Sequence, residues 1–204
     1  MVLTASTMLP LDTVLPSFEL PLIVGTGPHK SLQRISNSML RSKPLLIMVI
    51  CAHCPFVKHI EQGISLLDLD YLERVYFLAV SSNSLMTHPM DAPKHLLLQA
   101  TMNRWRFPYV IDHDQSFAKK LKAACTPEFF LFAPSNNGSQ KLRYRGQFDE
   151  SRPTNQIPVS GKDLRFALNA VLRNQEVPFD QKPSIGCNIK WNPGNEPSWF
   201  NSAG

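Results

Sequence analysis

The sequence has few cysteines and no long apolar segment. Its 204 residues contain four cysteines, at positions 51, 54, 125 and 187, far below the density of small secreted domains that are held together by disulfides. The longest apolar run, from Pro44 to Ile50, is much shorter than the roughly 20 residues that a membrane helix needs. These two absences exclude a disulfide scaffold and an integral membrane protein.

Basic clusters and targeting signals are also absent. The formal net charge is +5, but the 21 Lys and Arg residues occur singly or in pairs such as Lys119 and Lys120. We therefore expect neither a nucleic acid nor a membrane as a partner. The first residues, from Met1 to Pro10, lack the basic segment and the apolar stretch of a secretory signal. We expect a cytoplasmic protein, in which thiols are more often reactive than structural.

Apolar runs and helical periodicity alternate through most of the chain. The run from Pro44 to Ile50 predicts a buried strand, and apolar residues at spacings of three and four predict a helix from Cys54 to Tyr71. Before residue 43, the prolines within 11–21 favour a short edge strand or hairpin. The same reasoning predicts strands over 75–80, 107–111, 128–132 and 141–145, a turn at 136–138, and helices over 93–105, 115–123 and 160–173.

This order of elements predicts an α/β fold in which helices cover both faces of a central mixed sheet. We place one domain over residues 9–175. The remaining residues, 176–204, include several prolines together with Trp191 and Trp199. We expect them to form an irregular tail that packs on the domain.

Two cysteines, Cys51 and Cys54, stand where the buried strand is expected to run into the first helix. A dithiol that cycles through a disulfide needs two sulfurs within bonding reach and one thiol that ionises at neutral pH. The free N–H groups and the dipole at a helix start favour a thiolate. We therefore expect Cys51 to attack a disulfide and Cys54 to resolve the mixed disulfide, while protonated His53 stabilises the thiolate.

A CxxC pair can also form half of a zinc site. A complete site would need a second close pair, whereas Cys125 and Cys187 are far apart in the sequence, so we expect no metal and no other cofactor. Each of these two cysteines is either an auxiliary redox thiol or a small buried residue. Lys58, one turn into the helix, either lowers a thiol pKa through its charge or is a solvated side chain.

A second motif, Cys125-Thr126-Pro127, comes immediately before an apolar strand. A CxxC pair after the first core strand and a Thr-Pro pair before the closing hairpin resemble the thioredoxin superfamily. The resemblance implies that the Thr126–Pro127 bond is cis and faces the dithiol, and that Pro127 shapes the substrate groove. Physical chemistry alone would predict a trans bond, since only about 5–6% of X–Pro bonds in folded proteins are cis.

More narrowly, several segments resemble the peroxiredoxin-like branch of the AhpC/TSA redoxin family. That family implies a thioredoxin fold and redox or antioxidant activity. The segments are 15–20, 51–59, 125–132, 144–146 and 183–191.

The sequence departs from peroxiredoxins at the residues that activate peroxide. When the peroxiredoxin motif PxxxTxxC is aligned on Cys54, Ile47 replaces the proline and Cys51 replaces the threonine. The arginine that peroxiredoxins place near the second motif is also missing, and Arg143 or Arg145 on the next strand is the candidate replacement. The peroxide pocket is therefore expected to be incomplete.

The leading hypothesis is a thiol–disulfide oxidoreductase that acts on protein or small-molecule disulfides. Its electron donor would be a thioredoxin or glutathione system. The alternatives are a thiol peroxidase that reduces peroxide and a non-catalytic redox sensor or adaptor.

Overall fold

A computed structural model describes residues 3–26, 29–135 and 138–200. Short 3-10 turns cover Asn37–Leu40 and Pro89–Asp91. No helix within the described ranges is long and apolar enough to cross a membrane. The elements in chain order are β1 (Leu3–Ala5), β2 (Glu19–Val24), β3 (Arg34–Ser36), β4 (Leu45–Val49), α1 (Pro55–Tyr71), β5 (Tyr76–Ser81), α2 (Pro93–Met102), β6 (Tyr109–Ile111), α3 (Ser116–Lys120), β7 (Cys125–Thr126), β8 (Glu128–Pro134), β9 (Gln140–Gly146), α4 (Lys162–Leu172) and β10 (Ile185–Asn188).

The strands form two sheets. The larger one has seven strands in the order β3-β2-β6-β5-β4-β8-β9. In it, β5 is parallel to both β4 and β6, while the other pairs are antiparallel. The predicted mixed sheet is thus confirmed. A smaller antiparallel sheet has the order β1-β10-β7.

Every side chain of β4 is buried because the two faces of this strand contact different cores. Leu46 and Met48 belong to the core that includes side chains of α1, α2 and α4. Leu45, Ile47 and Val49 belong to the core on the opposite face, which includes side chains of α3. Alternate residues of a strand point to opposite faces. The continuous apolar run therefore fits a strand covered by helices on both sides, as predicted.

The predicted core strands and helices are confirmed, with ends that shift by a few residues. The N-terminal strand expected within residues 11–21 lies later in the chain, because β2 begins at Glu19. It is not an edge strand, because β2 is paired on both sides and β3 lies at the sheet edge. The predicted turn at 136–138 falls largely outside the described residues. Its last residue, Gly138, has φ +78°.

The C-terminal segment is not wholly irregular, because it contains β10. This strand of four residues pairs antiparallel with β1 on one side and β7 on the other. Such a short strand has no extended alternation for a sequence pattern to reveal, and its partners come from distant parts of the chain. β10 places the tail beside the cis-proline loop.

Candidate functional site

The CxxC pair lies at the junction between β4 and α1, as predicted. Cys51 follows the strand, and Cys54 is the N-cap residue of α1, with Pro55 at the first helical position. Proline suits this position because its missing N–H would have no partner in the helix. Both thiols are buried, with 0% of each residue exposed.

The second motif faces this pair. The Thr126–Pro127 bond is cis, which confirms the expectation from the resemblance. The Thr126 carbonyl oxygen lies 3.3 Å from the Cys54 Sγ, and the Thr126 Oγ1 lies 3.7 Å from the Cys51 Sγ. Both cysteines therefore contact the residue before the cis-proline.

A third thiol completes the site. The Cys187 Sγ lies 2.9 Å from the Cys54 Sγ, and Cys187 is only 2% exposed. On the other side, Cys51 is the second thiol of the CxxC pair, and both sulfurs contact Thr126. We call these three residues the thiol row, with Cys54 at its centre.

The thiol row determines which sulfur ionises. The hydrogen bonds with Cys187 and then with Cys51 lower the pKa of Cys54 far below its usual range, and the Val57 N–H at the start of α1 acts in the same direction. The hydrogen bond to Cys54 and burial raise the pKa of Cys187. A thiolate that accepts hydrogen bonds is stabilised as an anion.

The pKa of Cys51 is raised, which is contrary to the sequence-based expectation that Cys51 is the thiolate. Burial is the main cause, and the hydrogen bond with Cys54 and the negative charge of Asp91 add to it. The N–H groups of Ala52 and His53, which would otherwise favour a Cys51 thiolate, both donate to the Asp91 Oδ1 at 2.9 and 3.1 Å.

Asp91 is a site residue that the sequence did not reveal. It is fully buried, and its Oδ2 accepts hydrogen bonds from His53 Nδ1 at 2.6 Å and Asn83 Nδ2 at 2.8 Å. Burial alone would raise the pKa of Asp91, but the hydrogen bonds from His53 and Asn83 lower it on balance. The only sequence signal was an acid immediately before the Ala92-Pro93 start of α2, which is an ordinary helix-start composition.

Two amides link the CxxC segment to its surroundings. The Asn83 Oδ1 accepts a hydrogen bond from the Lys190 N–H at 2.8 Å, so Asn83 joins Asp91 to the tail. The Gln99 Nε2 donates to the Cys51 carbonyl oxygen at 3.1 Å. These contacts fix the CxxC segment against α2 and against the segment after β10.

His53 lies beside Cys51, with its Nδ1 at 3.7 Å from the Cys51 Sγ. The same nitrogen is only 2.6 Å from the Asp91 Oδ2. A proton on Nδ1 is therefore directed mainly at Asp91 rather than at the thiol. The expected tuning of the thiolate by His53 remains a prediction.

Cys51, His53 and Asp91 also form a group that could hold a metal ion, since their ligand atoms lie within 4.8 Å of one another. The Asp91 oxygens already accept four hydrogen bonds within this part of the chain. A cation would have to displace the His53 and Asn83 donors. We therefore assign these groups to hydrogen bonding.

Cys125 is buried on the other side of the cis-proline loop. Its Sγ lies 4.0 Å from the Pro127 carbonyl oxygen and 4.0 Å from the Glu128 Oε2. Burial, followed by the Glu128 charge, raises the pKa of Cys125. The sequence left two interpretations of Cys125, an auxiliary redox thiol or a small buried residue. These surroundings fit the small buried residue.

The candidate cations lie away from the thiols. Lys58 is exposed on α1. Arg143 donates to Asp12, whereas Arg145 donates to the Leu9 carbonyl oxygen. Neither arginine thus replaces the missing arginine of peroxiredoxins.

The space beside Pro127 is small. It is a cavity of about 20 Å³ lined in part by Phe56, Pro127 and Ile185, which is room for about one water molecule. That Pro127 shapes a substrate groove remains a prediction.

The fold and the cis-proline loop opposite a CxxC pair define a thioredoxin-fold protein. An uncharacterized conserved protein from Geobacillus kaustophilus is 39% identical, with a TM-score of 0.86, and the match covers 95% of this chain and 98% of that one. A hypothetical protein from Sinorhizobium meliloti is 36% identical, with a TM-score of 0.84 and coverage of 93% and 98%. The chain belongs to one family with these two bacterial proteins, and the fold of this family is thioredoxin-like.

More distant structures share the fold. A secreted Mycobacterium tuberculosis disulfide oxidoreductase homologous to DsbE is 13% identical, with a TM-score of 0.54 and coverage of 75% of this chain and 95% of that one. Mycobacterium tuberculosis AhpC is also 13% identical, with a TM-score of 0.57 and coverage of 85% and 99%. No protein-family model and no curated protein sequence matches the chain.

Proposed function

We propose that this protein is a thiol–disulfide oxidoreductase whose dithiol is Cys51 and Cys54. The observation that carries the proposal is the low pKa of Cys54 at the start of α1, opposite the cis-proline loop. A thiolate is the reactive form in disulfide exchange, and a neighbouring thiol is needed to complete it. The fold shared with a disulfide oxidoreductase is consistent with this activity.

The pKa order favours Cys54 as the attacking thiol and Cys51 as the resolving one, the reverse of the assignment from sequence. The Cys54 thiolate attacks one sulfur of a substrate disulfide, forms a mixed disulfide and releases a thiolate, which takes up a proton. Cys51 then attacks the Cys54 sulfur, its proton passes to the second leaving thiolate, and the Cys51–Cys54 disulfide forms. The substrate is reduced by two electrons and the dithiol is oxidised.

Burial of the site favours small-molecule disulfides as substrates. The three residues of the thiol row are between 0% and 2% exposed, and the space at Pro127, which Ile185 helps to line, is only about 20 Å³. A protein disulfide would reach the sulfurs only after the tail had moved. A thioredoxin or glutathione system would return the electrons.

The test is reduction of a small disulfide such as glutathione disulfide by the reduced protein, with released thiols counted over time. We expect Cys54→Ser to abolish the reaction and Cys125→Ser to preserve it, because Cys125 lies outside the thiol row. Full activity in the Cys54→Ser variant would overturn the proposal. Binding of a partner without turnover would instead support the adaptor hypothesis.

Trapping separates the two assignments of the attacking thiol. In the Cys51→Ser/Cys187→Ser double variant, a mixed disulfide should accumulate on Cys54, because both neighbouring thiols are gone. The matched Cys54→Ser/Cys187→Ser variant should trap little. A trapped product mainly on Cys51 would restore the order expected from sequence.

A thiol peroxidase is the second candidate, because a buried thiolate of low pKa remains accessible to an oxidant as small as hydrogen peroxide. Peroxide reduction also needs donors aimed at the developing charge. Arg143 and Arg145 are engaged elsewhere, and Ile47 is part of the apolar core. In stopped-flow measurements with hydrogen peroxide, we expect the reduced protein to react with a rate constant below the usual enzymatic range of about 10⁴–10⁸ M⁻¹s⁻¹. A rate constant within that range that depends on Cys54 would favour the peroxidase.

A further inference from the structure

The tail holds Cys187 in place through contacts on both sides of it. In the β10–β7 pair, Cys187 is opposite Thr126. On the C-terminal side, the Ile189 N–H donates to the Ala124 carbonyl oxygen at 3.0 Å. On the N-terminal side, the Ser184 Oγ donates to the Gly146 carbonyl oxygen at 2.6 Å. The approach of Cys187 to Cys54 is therefore a consequence of strand pairing rather than of one side-chain rotamer.

Gly186 allows this close approach. A Cβ at this position would overlap the Thr126 carbonyl oxygen. Only a residue without a side chain lets the tail backbone lie so close to the cis-proline loop. The backbone is thus shaped to bring position 187 against the CxxC pair.

The central sulfur of the thiol row has two possible disulfide partners. Cys51 is the other member of the CxxC pair, and Cys187 contacts Cys54 from β10. The separation of the Cys54 Sγ from the Cys187 Sγ, 2.9 Å, is within about 1 Å of the length of a disulfide bond.

We propose that Cys187 is a third redox thiol, which accepts the disulfide from the CxxC pair. The Cys187 sulfur attacks the Cys54 sulfur of the Cys51–Cys54 disulfide. The Cys51–Cys54 bond breaks, a Cys54–Cys187 bond forms, and Cys51 leaves as a thiolate that takes the proton lost by Cys187. No net oxidation occurs, so this step needs no further reactant.

The proposal rests on the function proposed above, which supplies the Cys51–Cys54 disulfide, and it adds a second oxidised state. In that state a covalent bond joins the start of α1 to β10. Cys51 is again a free thiol although the protein is oxidised. The tail would then be fixed over the site until the electron donor reduces the Cys54–Cys187 disulfide.

The test uses the full chain with single cysteine replacements, oxidised with one equivalent of diamide and analysed by non-reducing peptide mapping. The wild-type protein should yield both the Cys51–Cys54 and the Cys54–Cys187 disulfides. Cys51→Ser should yield the Cys54–Cys187 disulfide alone, and Cys187→Ser the Cys51–Cys54 disulfide alone. Cys125→Ser is the matched control and should give the wild-type mixture.

A second readout guards against altered folding in the variants. Oxidation should raise the unfolding temperature of Cys51→Ser, because the new disulfide cross-links distant parts of the chain. It should raise the unfolding temperature of Cys187→Ser less, because the Cys51–Cys54 loop is short. Folded, oxidised Cys51→Ser that retains all three thiols would overturn the role of Cys187.

The two proposals fail differently in these experiments. A Cys51–Cys54 disulfide in the wild type, without any Cys54–Cys187 disulfide in Cys51→Ser, would leave the oxidoreductase standing and refute the third thiol. Absence of both disulfides, together with no reduction of glutathione disulfide, would refute both proposals.

Discussion

Cys54 and Cys125 lie on opposite sides of one cis-proline loop, and both are completely buried. Their pKa values nevertheless shift in opposite directions. The hydrogen bond with Cys187 is the main cause of the shift at Cys54, whereas burial and the charge of Glu128 raise the pKa of Cys125. Burial alone makes a cysteine unreactive, and nearby donors are what make a buried cysteine a nucleophile.

The largest expected effect concerns Glu128, the carboxyl group that lies beside Cys125. Burial raises the pKa of Glu128 to about 8, despite hydrogen bonds from the Ala124 and Cys125 N–H groups. Between about pH 4.5 and 8 the folded protein keeps a proton that the unfolded chain has released, so stability falls as pH rises. Because one pKa unit is worth about 1.4 kcal/mol, this loss has an upper limit of about 5 kcal/mol.

Glu128→Gln should remove this part of the pH dependence, because glutamine is neutral throughout and keeps an oxygen to accept the same N–H groups. Urea unfolding at several pH values from 5 to 8 would measure it. Parallel stability profiles for the wild type and the variant would contradict the proposed protonation of Glu128.

Replacing Cys187 should shift the pKa of Cys54 toward the high pKa of Cys125. Cys187→Ala removes the hydrogen bond that contributes most to the low pKa of Cys54. Hydrogen bonds to charged groups are worth about 1.5–3 kcal/mol, so the pKa of Cys54 should rise. Thiolate ultraviolet absorbance against pH would measure the change, and Cys125→Ala should leave the curve in place.

A change at Gly186 tests whether the position of the tail, rather than the mere presence of the Cys187 thiol, produces the difference in pKa between Cys54 and Cys125. The Cβ of Gly186→Ala would overlap the Thr126 carbonyl oxygen, so β10 must move and carry Cys187 away. Overpacking of this kind costs about 1–3 kcal/mol, and the thiolate absorbance should shift as in Cys187→Ala.

Gly194→Ala is the matched control in the same tail. A Cβ there meets no atom within 4 Å, although φ of +80° disfavours alanine. This variant should lose some stability and keep the wild-type thiolate titration. Equal titrations for the two glycine variants would show that β10 does not determine the ionisation of Cys54.

The smallest expected effect concerns the Asp91 charge beside Cys51. Asp91→Asn removes a negative charge beside the dithiol, whose reduced form carries the Cys54 thiolate, and so favours the reduced form. The potential should become less negative by about 30 mV, equivalent to about 1.4 kcal/mol. Equilibration with glutathione buffers would measure it. The control is Asp112→Asn. Asp112 is also a buried carboxylate, which accepts hydrogen bonds from two N–H groups of α3, and its replacement should leave the potential unchanged.

The CxxC pair could be predicted from sequence because its residues are neighbours in the chain. A buried strand, two cysteines and a helix follow one another directly, so local pattern fixes their arrangement. The prediction of a cis bond at Pro127 came from family resemblance instead, since local energetics favour the trans bond. Asp91 could not be predicted, because it reaches the Ala52 and His53 N–H groups from a separate turn.

The sequence by itself determined the α/β class, the strand–helix junction and the position of two cysteines there, because these depend on local periodicity and residue type. Only the tertiary structure decided which thiol ionises. That choice depends on Cys187 and Asp91, which are distant from Cys54 along the chain. Hydrogen bonds and charges act over a few ångströms in space, so the ionisation of a buried group depends on which distant segments the fold brings to it.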